Sequence, residues 1–302
     1  MLGTSIREAW VEHRPDDELV AVDRSVVDLR DRGAVAELLR QSRPDAVIHA
    51  AALVGGVAAK QAHPTAFLLD NVLIDSSVIS AALETGVTEL LYLSSAAVYP
   101  EHHEMPLRED ALLDGRPDEV NEGYAIAKIA GTRLCAYISR EHGLAYRAAV
   151  PSNLYGPHDD FSVGNGHLVA AALAKVHEAR RTGSPSVEVW GDGTARREFT
   201  FSEDLAAWLV TQPGRLAAWP ALLNLGTGID HTIAEYYRLA AQIVGYDGEL
   251  EFHPELPSGA QRRLLDSGAA HALGWAPATD LTSGMTASYR AYLSTRTESR
   301  TS

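Results

Sequence analysis

Three side chains in this sequence have the chemistry of a proton relay. Ser95 closes an apolar run in LLYLSSAAVYP, and Tyr124 and Lys128 occur together as YAIAK. A tyrosine and a lysine at i and i+4 share one helical face, so an ammonium can sit near the phenol. A free tyrosine, with a pKa of roughly 10, is nearly always protonated, and a nearby positive charge favours its phenolate. So placed, it can give its proton to an alkoxide as that forms and recover it from solvent. Tyr-x-x-x-Lys alone is a common pattern, which a half-buried aromatic and a solvated lysine satisfy equally well. A serine at a strand end upstream turns the pair into a catalytic set.

What must position these residues is a series of alternating β-type and helical runs. They are ELVAVD, RGAVAELLRQ, DAVIHAAA, a helical run over 67–84, ELLYLSS, a helix over 124–141, and then LAYRAAVPSNLYGP. That order implies βαβ units with right-handed crossovers, hence an α/β, Rossmann-like fold with a doubly wound parallel sheet. From residue 155 onward the pattern loosens into Gly-, Pro- and Asp-rich joints such as YGPHDDFSVGNG and WGDGTARREF, while VEVWG, EDLAAWLV, ALLNLGTG and a helix over 232–244 continue it. The expected organisation is a dinucleotide-binding domain over 1–155, to which segments near 200–228 return. A smaller, mainly substrate-binding domain over 156–302 should close over the carboxyl ends of the strands, where ligands of such folds bind.

Composition narrows the function. With 302 residues and 46% hydrophobic content the chain has the size and make-up of a globular enzyme. No stretch approaches the ~18 consecutive apolar residues that span a bilayer. The opening MLGTSIREAWVEHRPDD is charged too early for a signal peptide, so a cytoplasmic protein without a membrane partner is expected. A net charge of −14 and no basic stripe speak against a nucleic-acid partner. The sole cysteine, Cys135, falls in the helical pattern GTRLCAYISREHG; it is expected in the core, with no disulfide and no metal site. Only Lys60, Lys128 and Lys175 stand among the 26 basic residues, a bias that suits a GC-rich genome. Each surviving lysine is the more informative, since arginine cannot lose its proton.

Around these residues the sequence resembles the extended short-chain dehydrogenase/reductases and, within them, the GDP-L-fucose synthases. The resemblance runs from Gly3 nearly to Tyr292 and is carried by ALVGGV, EGYAIAKIAGTRLC, PSNLYGPHDDF, VWGDGTARREF, LNLGTG, and RRLLD followed by LGW. It implies that Ser95 hydrogen-bonds a substrate ketone and Tyr124 protonates it. Lys128 would contact the nicotinamide ribose and lower the tyrosine pKa, while NADPH delivers hydride to C4 of a nucleotide sugar. It also implies substrate-binding roles for His167, Lys175, Trp190 and Arg197, with Arg263 where the family has a basic residue near the substrate. Lys175 and Arg197 could supply the cations a pyrophosphate needs, although Lys175 could equally be a solvated helix residue. Trp190 could stack on a base or sugar, or pack in the core. In the family an arginine at the position of Arg24 meets the adenosine 2′-phosphate, and Asp28 belongs to the same site. Asp23 is instead the kind of residue that binds the ribose hydroxyls of NAD. The resulting expectation is NADPH in preference to NADH, and a homodimer formed through the helices at 71–84 and 124–141.

Two departures from the family shape the functional reading. The family opens with a strand and a GxxGxxG turn whose backbone approaches the cofactor pyrophosphate, and here only its last glycine, Gly3, aligns. Losing that strand would remove a central member of the parallel sheet and leave unpaired backbone groups and a gap in the core, so a translation start upstream of Met1 is expected. The family also carries a cysteine two residues after the serine, which works with a histidine to invert C3 and C5 of the sugar; Ala97 stands there. Inversion needs a proton to leave one face and another to arrive on the opposite face, and a missing acid–base group commonly costs about 10²–10⁴ in rate. The expected function is an NADPH-dependent 4-ketoreductase of a nucleoside-diphospho-4-keto-6-deoxyhexose, without epimerase activity. The dTDP-linked allose form of antibiotic deoxysugar pathways is such a substrate. A bifunctional GDP-L-fucose synthase in which Ser94 or a water replaces the cysteine is one alternative. A non-catalytic nucleotide-sensing Rossmann protein is another.

Overall fold

The computed structural model describes residues 1–162, 166–256 and 260–298. The chain opens on α1 (Leu2–His13) and reaches α2 (Arg32–Ser42), whose first turn is capped by the Asp31 carboxylate on the Ala34 amide. Then come β1 (Ala46–His49), the short α3 (Val57–Ala62), α4 (Pro64–Glu84), β2 (Glu89–Leu93), α5 (Glu122–His142), β3 (Ala145–Pro151) and β4 (Asn153–Tyr155). The second half contributes α6 (Leu168–Thr182), β5 (Ser186–Trp190), β6 (Arg196–Phe201), α7 (Ser202–Leu209), β7 (Leu222–Leu225) and β8 (Asp230–Thr232). It ends with α8 (Ile233–Val244), β9 (Glu249–His253), β10 (Arg262–Arg263), α9 (Gly268–Ala272) and α10 (Leu281–Glu298).

The main sheet runs β1-β2-β3-β7, and every pair in it is parallel. Parallel strands covered on both faces read as continuous apolar runs, and β2 shows why. Leu90 and Tyr92 face a cluster with Val35, Val78, Ile79 and Cys135, from α2, α4 and α5. Leu91 and Leu93 face the opposite cluster with Ile6, Leu205, Leu209 and Trp275. Helices on both faces make this a Rossmann-like α/β fold. The segments that carry Leu205 to Leu225, far along the chain, belong to this same core.

The run LAYRAAVPSNLYGP is interrupted at Ser152, whose amide bonds the Leu225 carbonyl and whose hydroxyl bonds Thr200 Oγ1 at 2.7 Å. Beyond it, β4 joins a second sheet, β10-β6-β4, with β8 antiparallel on β6; β5 and β9 form a further parallel pair. A separate apolar cluster including Leu173, Val176, Tyr236, Tyr237 and Met285 binds these strands to α6, α8 and α10.

Helix α4 is long and apolar enough to cross a membrane by length and composition. Here half of its apolar stretch is buried in the protein, and it carries Asn71 and Asp75 into the interior. It is a core helix with polar business on its inner face.

One expected element is absent. Residues 18–23, ELVAVD, form no strand, and Val20 and Val22 are exposed. A β-type run becomes a strand only with a ladder partner, and among the described residues nothing pairs with the outer edge of β1. Residues 19–22 and β1 instead line the same cavity.

Candidate active site

A cavity of about 2230 Å³ opens over the carboxyl ends of the main sheet. It exceeds the ~300–1,000 Å³ of a single small-molecule pocket and has room for two ligands. Its wall includes Met1, Leu2 and Gly3, then Ser95, Ala97, Tyr124 and Lys128, and also His167, Lys175, Trp190, Arg197 and Arg263.

The three relay residues come together. Ser95 follows β2 and caps the single turn Ala96–Val98, its Oγ accepting the Ala97 amide at 3.2 Å. Tyr124 lies in the first turn of α5 and is buried. Burial pushes its phenol up to about 12; a hydrogen bond with Ser95 works the other way, and the Asp75 charge adds to the rise. One turn on, Lys128 is only 1% exposed. Burial lowers its ammonium pKa, while Asp75 opposes that. At neutral pH the phenol therefore holds its proton, with a hydroxyl beside it and a buried lysine one helical turn on. This arrangement can receive a carbonyl oxygen and protonate it.

Residues missed by the sequence reading complete the set. The Lys128 Nζ stands 3.4 Å from both oxygens of Asp75 on α4 and 4.6 Å from the centroid of the Tyr92 ring. His49 Nε2 meets Asp75 Oδ1 at 2.9 Å, and the Tyr92 hydroxyl donates to Oδ2 at 2.6 Å. The available signal was a carboxylate inside the apolar run LLDNVLIDSSVIS, since a charge on a core-facing helical position needs partners. Lys60 on α3 was also unassigned. Its Nζ donates to Asn121 Oδ1 at 2.8 Å and lies 5.0 Å over the Tyr124 ring.

Tyr92 fits only because α5 carries a glycine against it. A Cβ on Gly131 would lie 2.5 Å from the Tyr92 Cζ and Oη. Gly131→Ala is expected to lower stability by ~1–3 kcal/mol through overpacking, read as a drop in thermal midpoint. Displacement of Tyr92 from Asp75 should reduce turnover in parallel.

The remaining expected residues divide. His167 stands immediately before α6 on the cavity wall; burial and the charge of Lys60 lower its pKa, and Asp160 opposes them. Lys175 and Trp190 are neighbours, with the ammonium 6.0 Å over the indole and 3.4 Å from the Glu188 carbonyl. Trp190 is 51% exposed and donates to Glu188 Oε1, so it is a cavity-wall residue, not core packing. Arg197 and Arg263 are both pushed down, by burial first; the Arg263 charge depresses Arg197 further, and Asp118 opposes the shift in each. Arg197 Nη1 donates to the Arg196 carbonyl and Arg263 Nη1 to the Pro100 carbonyl, each at 2.8 Å. Two guanidiniums drawn together in a partly dry wall suit a diphosphate.

Arg24 and Asp28 are not brought to this wall. Both are exposed, and Asp28 pairs with Arg30 at 2.8 Å; Asp23 does reach the cavity, bonded to Ser25. Ser94, also on the cavity wall, is buried, and its hydroxyl is engaged by Thr132 Oγ1 at 2.9 Å.

A nicotinamide dinucleotide fits this wall. Helix α1 begins at Leu2 with no side-chain cap, leaving first-turn amides at the cavity edge that suit a pyrophosphate. Lys128 and Tyr124 lie on the same wall, where a nicotinamide ribose would be held.

Known proteins resemble this chain over most of its length. The profile of the NAD dependent epimerase/dehydratase family matches residues 1–215. The GDP-L-fucose synthase of Escherichia coli is 40% identical over 305 residues, covering 97% of this chain and 94% of that protein. The crystal structure of a GDP-6-OMe-4-keto-L-xylo-heptose reductase from Campylobacter jejuni superposes with a TM-score of 0.88 at 28% identity, over 97% of this chain and 95% of the other. The GDP-mannoheptose C4 reductase of the same organism, solved with NADP bound, gives 0.86 at 29% identity over 97% and 95%. The chain therefore belongs to the NAD dependent epimerase/dehydratase family of extended short-chain dehydrogenase/reductases.

Proposed function

We propose that the protein is an NADPH-dependent 4-ketoreductase of a nucleoside-diphospho-4-keto-6-deoxyhexose, and that it reduces C4 without inverting the neighbouring carbons. The observation that carries this reading is one cavity wall that assembles Ser95, Tyr124 and Lys128 and presents Ala97 beside them. Enzymes related to it are NADP-dependent sugar-nucleotide reductases, and this chain is an oxidoreductase of the same kind, acting on CH–OH groups.

NADPH, when bound, supplies the hydride. Ser95 donates a hydrogen bond to the ketone oxygen and so favours the charge that develops on it. Tyr124, its proton held by burial, gives that proton to the forming alkoxide. Lys128 stands below to offset the phenolate left behind and to hold the ribose. Arg197 and Arg263 receive the sugar diphosphate, and Lys175 with Trp190 flanks the nucleotide. His167 faces the sugar without a second acid–base group at position 97.

The relatives named above act on GDP-linked sugars, which favours a GDP sugar as the first substrate to try; the dTDP-linked allose form is the second. NADPH oxidation measured with a panel of both tests the reading, with turnover expected on at least one. No oxidation on any of them would overturn it in favour of a nucleotide sensor.

The homodimer expected from the sequence also finds support. Leu69 and Leu73 on α4 and Ile126 and Tyr137 on α5 are exposed, on two helices that pack against each other. Light scattering should give a dimer for the wild type and a monomer for Leu73→Glu combined with Ile126→Glu. A monomeric wild type would contradict this.

A further inference from the structure

We propose that Asp75 is the positioning residue of this site: its carboxylate, held by His49 and Tyr92 on one side, fixes the Lys128 ammonium beneath Tyr124 on the other. The inference rests on the reading that Lys128 serves Tyr124, and the test below separates the two.

The argument is one of charge in a dry place. His49, Asp75, Tyr92 and Lys128 are all at most 4% exposed, and they come from β1, α4, β2 and α5. A buried ammonium with no counter-charge gives up its proton. The titratable groups facing Lys128 are Asp75, His49, Tyr92 and Cys135, and Tyr124 stands one turn before it on the same helix. Burial holds both phenols and the thiol protonated and the imidazole neutral. Among the described residues, Asp75 is thus the charge that answers Lys128.

Asp75 in turn needs help. Burial works to raise its carboxyl, and the bonds and charges from His49, Lys128 and Tyr92 outweigh that and lower it. A carboxylate accepts only, so His49 must present Nε2 with its hydrogen, and the Tyr92 hydroxyl must point at Oδ2. The two donors keep Asp75 ionised, Asp75 keeps Lys128 protonated, and Lys128 offsets the phenolate of Tyr124. Because Tyr124 is pushed up to about 12 and Lys128 is pushed down, Lys128 is the group whose deprotonation ends activity as pH rises.

The chain's three lysines make the test direct. Protein labelled with ¹³C at the lysine ε-carbons gives three resonances, and Lys128→Met identifies the one from Lys128. In Asp75→Asn its titration midpoint should fall by about one unit or more. The alkaline limb of the kcat/KM profile should fall with it, so that turnover lost at high pH returns at lower pH. Asp75→Glu should restore both. A folded Asp75→Asn protein with an unchanged midpoint, or a loss of turnover equal at every pH, would overturn the proposal. Should Asp75→Asn not fold, Tyr92→Phe decides: with one donor fewer Asp75 is held less firmly ionised and the midpoint should fall, whereas an unchanged midpoint would overturn the proposal. Absence of wild-type turnover would count against the functional reading alone, since the lysine titration needs no substrate.

Discussion

Tyr124→Phe is expected to lower NADPH-dependent reduction of the 4-keto sugar nucleotide by ~10²–10⁴ while leaving the dissociation constant of the sugar nucleotide within a few-fold. The phenyl ring fills the space of the phenol, so the buried first turn of α5 keeps its packing and Lys60 keeps its ring face. What disappears is the proton donor, and Ser95 can hydrogen-bond a ketone but has no ammonium behind it to offset an alkoxide. Steady-state rates beside equilibrium binding check this. A variant that keeps most of its turnover would mean that the alkoxide takes its proton from elsewhere.

Ala97→Cys should do the opposite and add chemistry. Ala97 sits in the single turn after β2, its amide tied to the Ser95 hydroxyl, on the wall that also holds His167. His167 is kept neutral by burial and by the charge of Lys60, so at neutral pH it can take a proton from a carbon beside the ketone. Alone, it returns that proton to the face it left. A thiol at position 97 supplies a second acid–base group, and deuterium exchange at C3 or C5 should rise by ~10² or more over the wild type. Exchange as slow in Ala97→Cys as in the wild type would show that residue 97 does not set the outcome.

Much of the relay was legible because it is local. Tyr124 and Lys128 are one helical turn apart, and the apolar run before Ser95 marks a strand whose end must open at the site. The layered α/β fold was legible for the same reason, through alternating periods of β-type and helical runs. The hub beneath the relay was not, because His49, Asp75 and Tyr92 come from three elements and meet only after β1 and β2 pair and α4 packs across them. A carboxylate in an apolar helix announces that a partner exists without saying which. ELVAVD misled because strand propensity is expressed only against a neighbouring strand, and among the described residues nothing pairs with the outer edge of β1. Trp190 was ambiguous for a similar reason: an alternating pattern in β5 does not say which face is covered, and the structure leaves the indole on the cavity side, beside Lys175.

The central claim is reduction at C4 without inversion beside it. The most direct measurement is incubation of the enzyme with NADPH and a GDP- or dTDP-linked 4-keto-6-deoxyhexose in D₂O, followed by NMR of the product sugar. Expected is NADPH consumption matched by a new C4 hydroxyl, with hydrogen and not deuterium at C3 and C5 and both configurations retained. Deuterium at either carbon in an inverted product would contradict it.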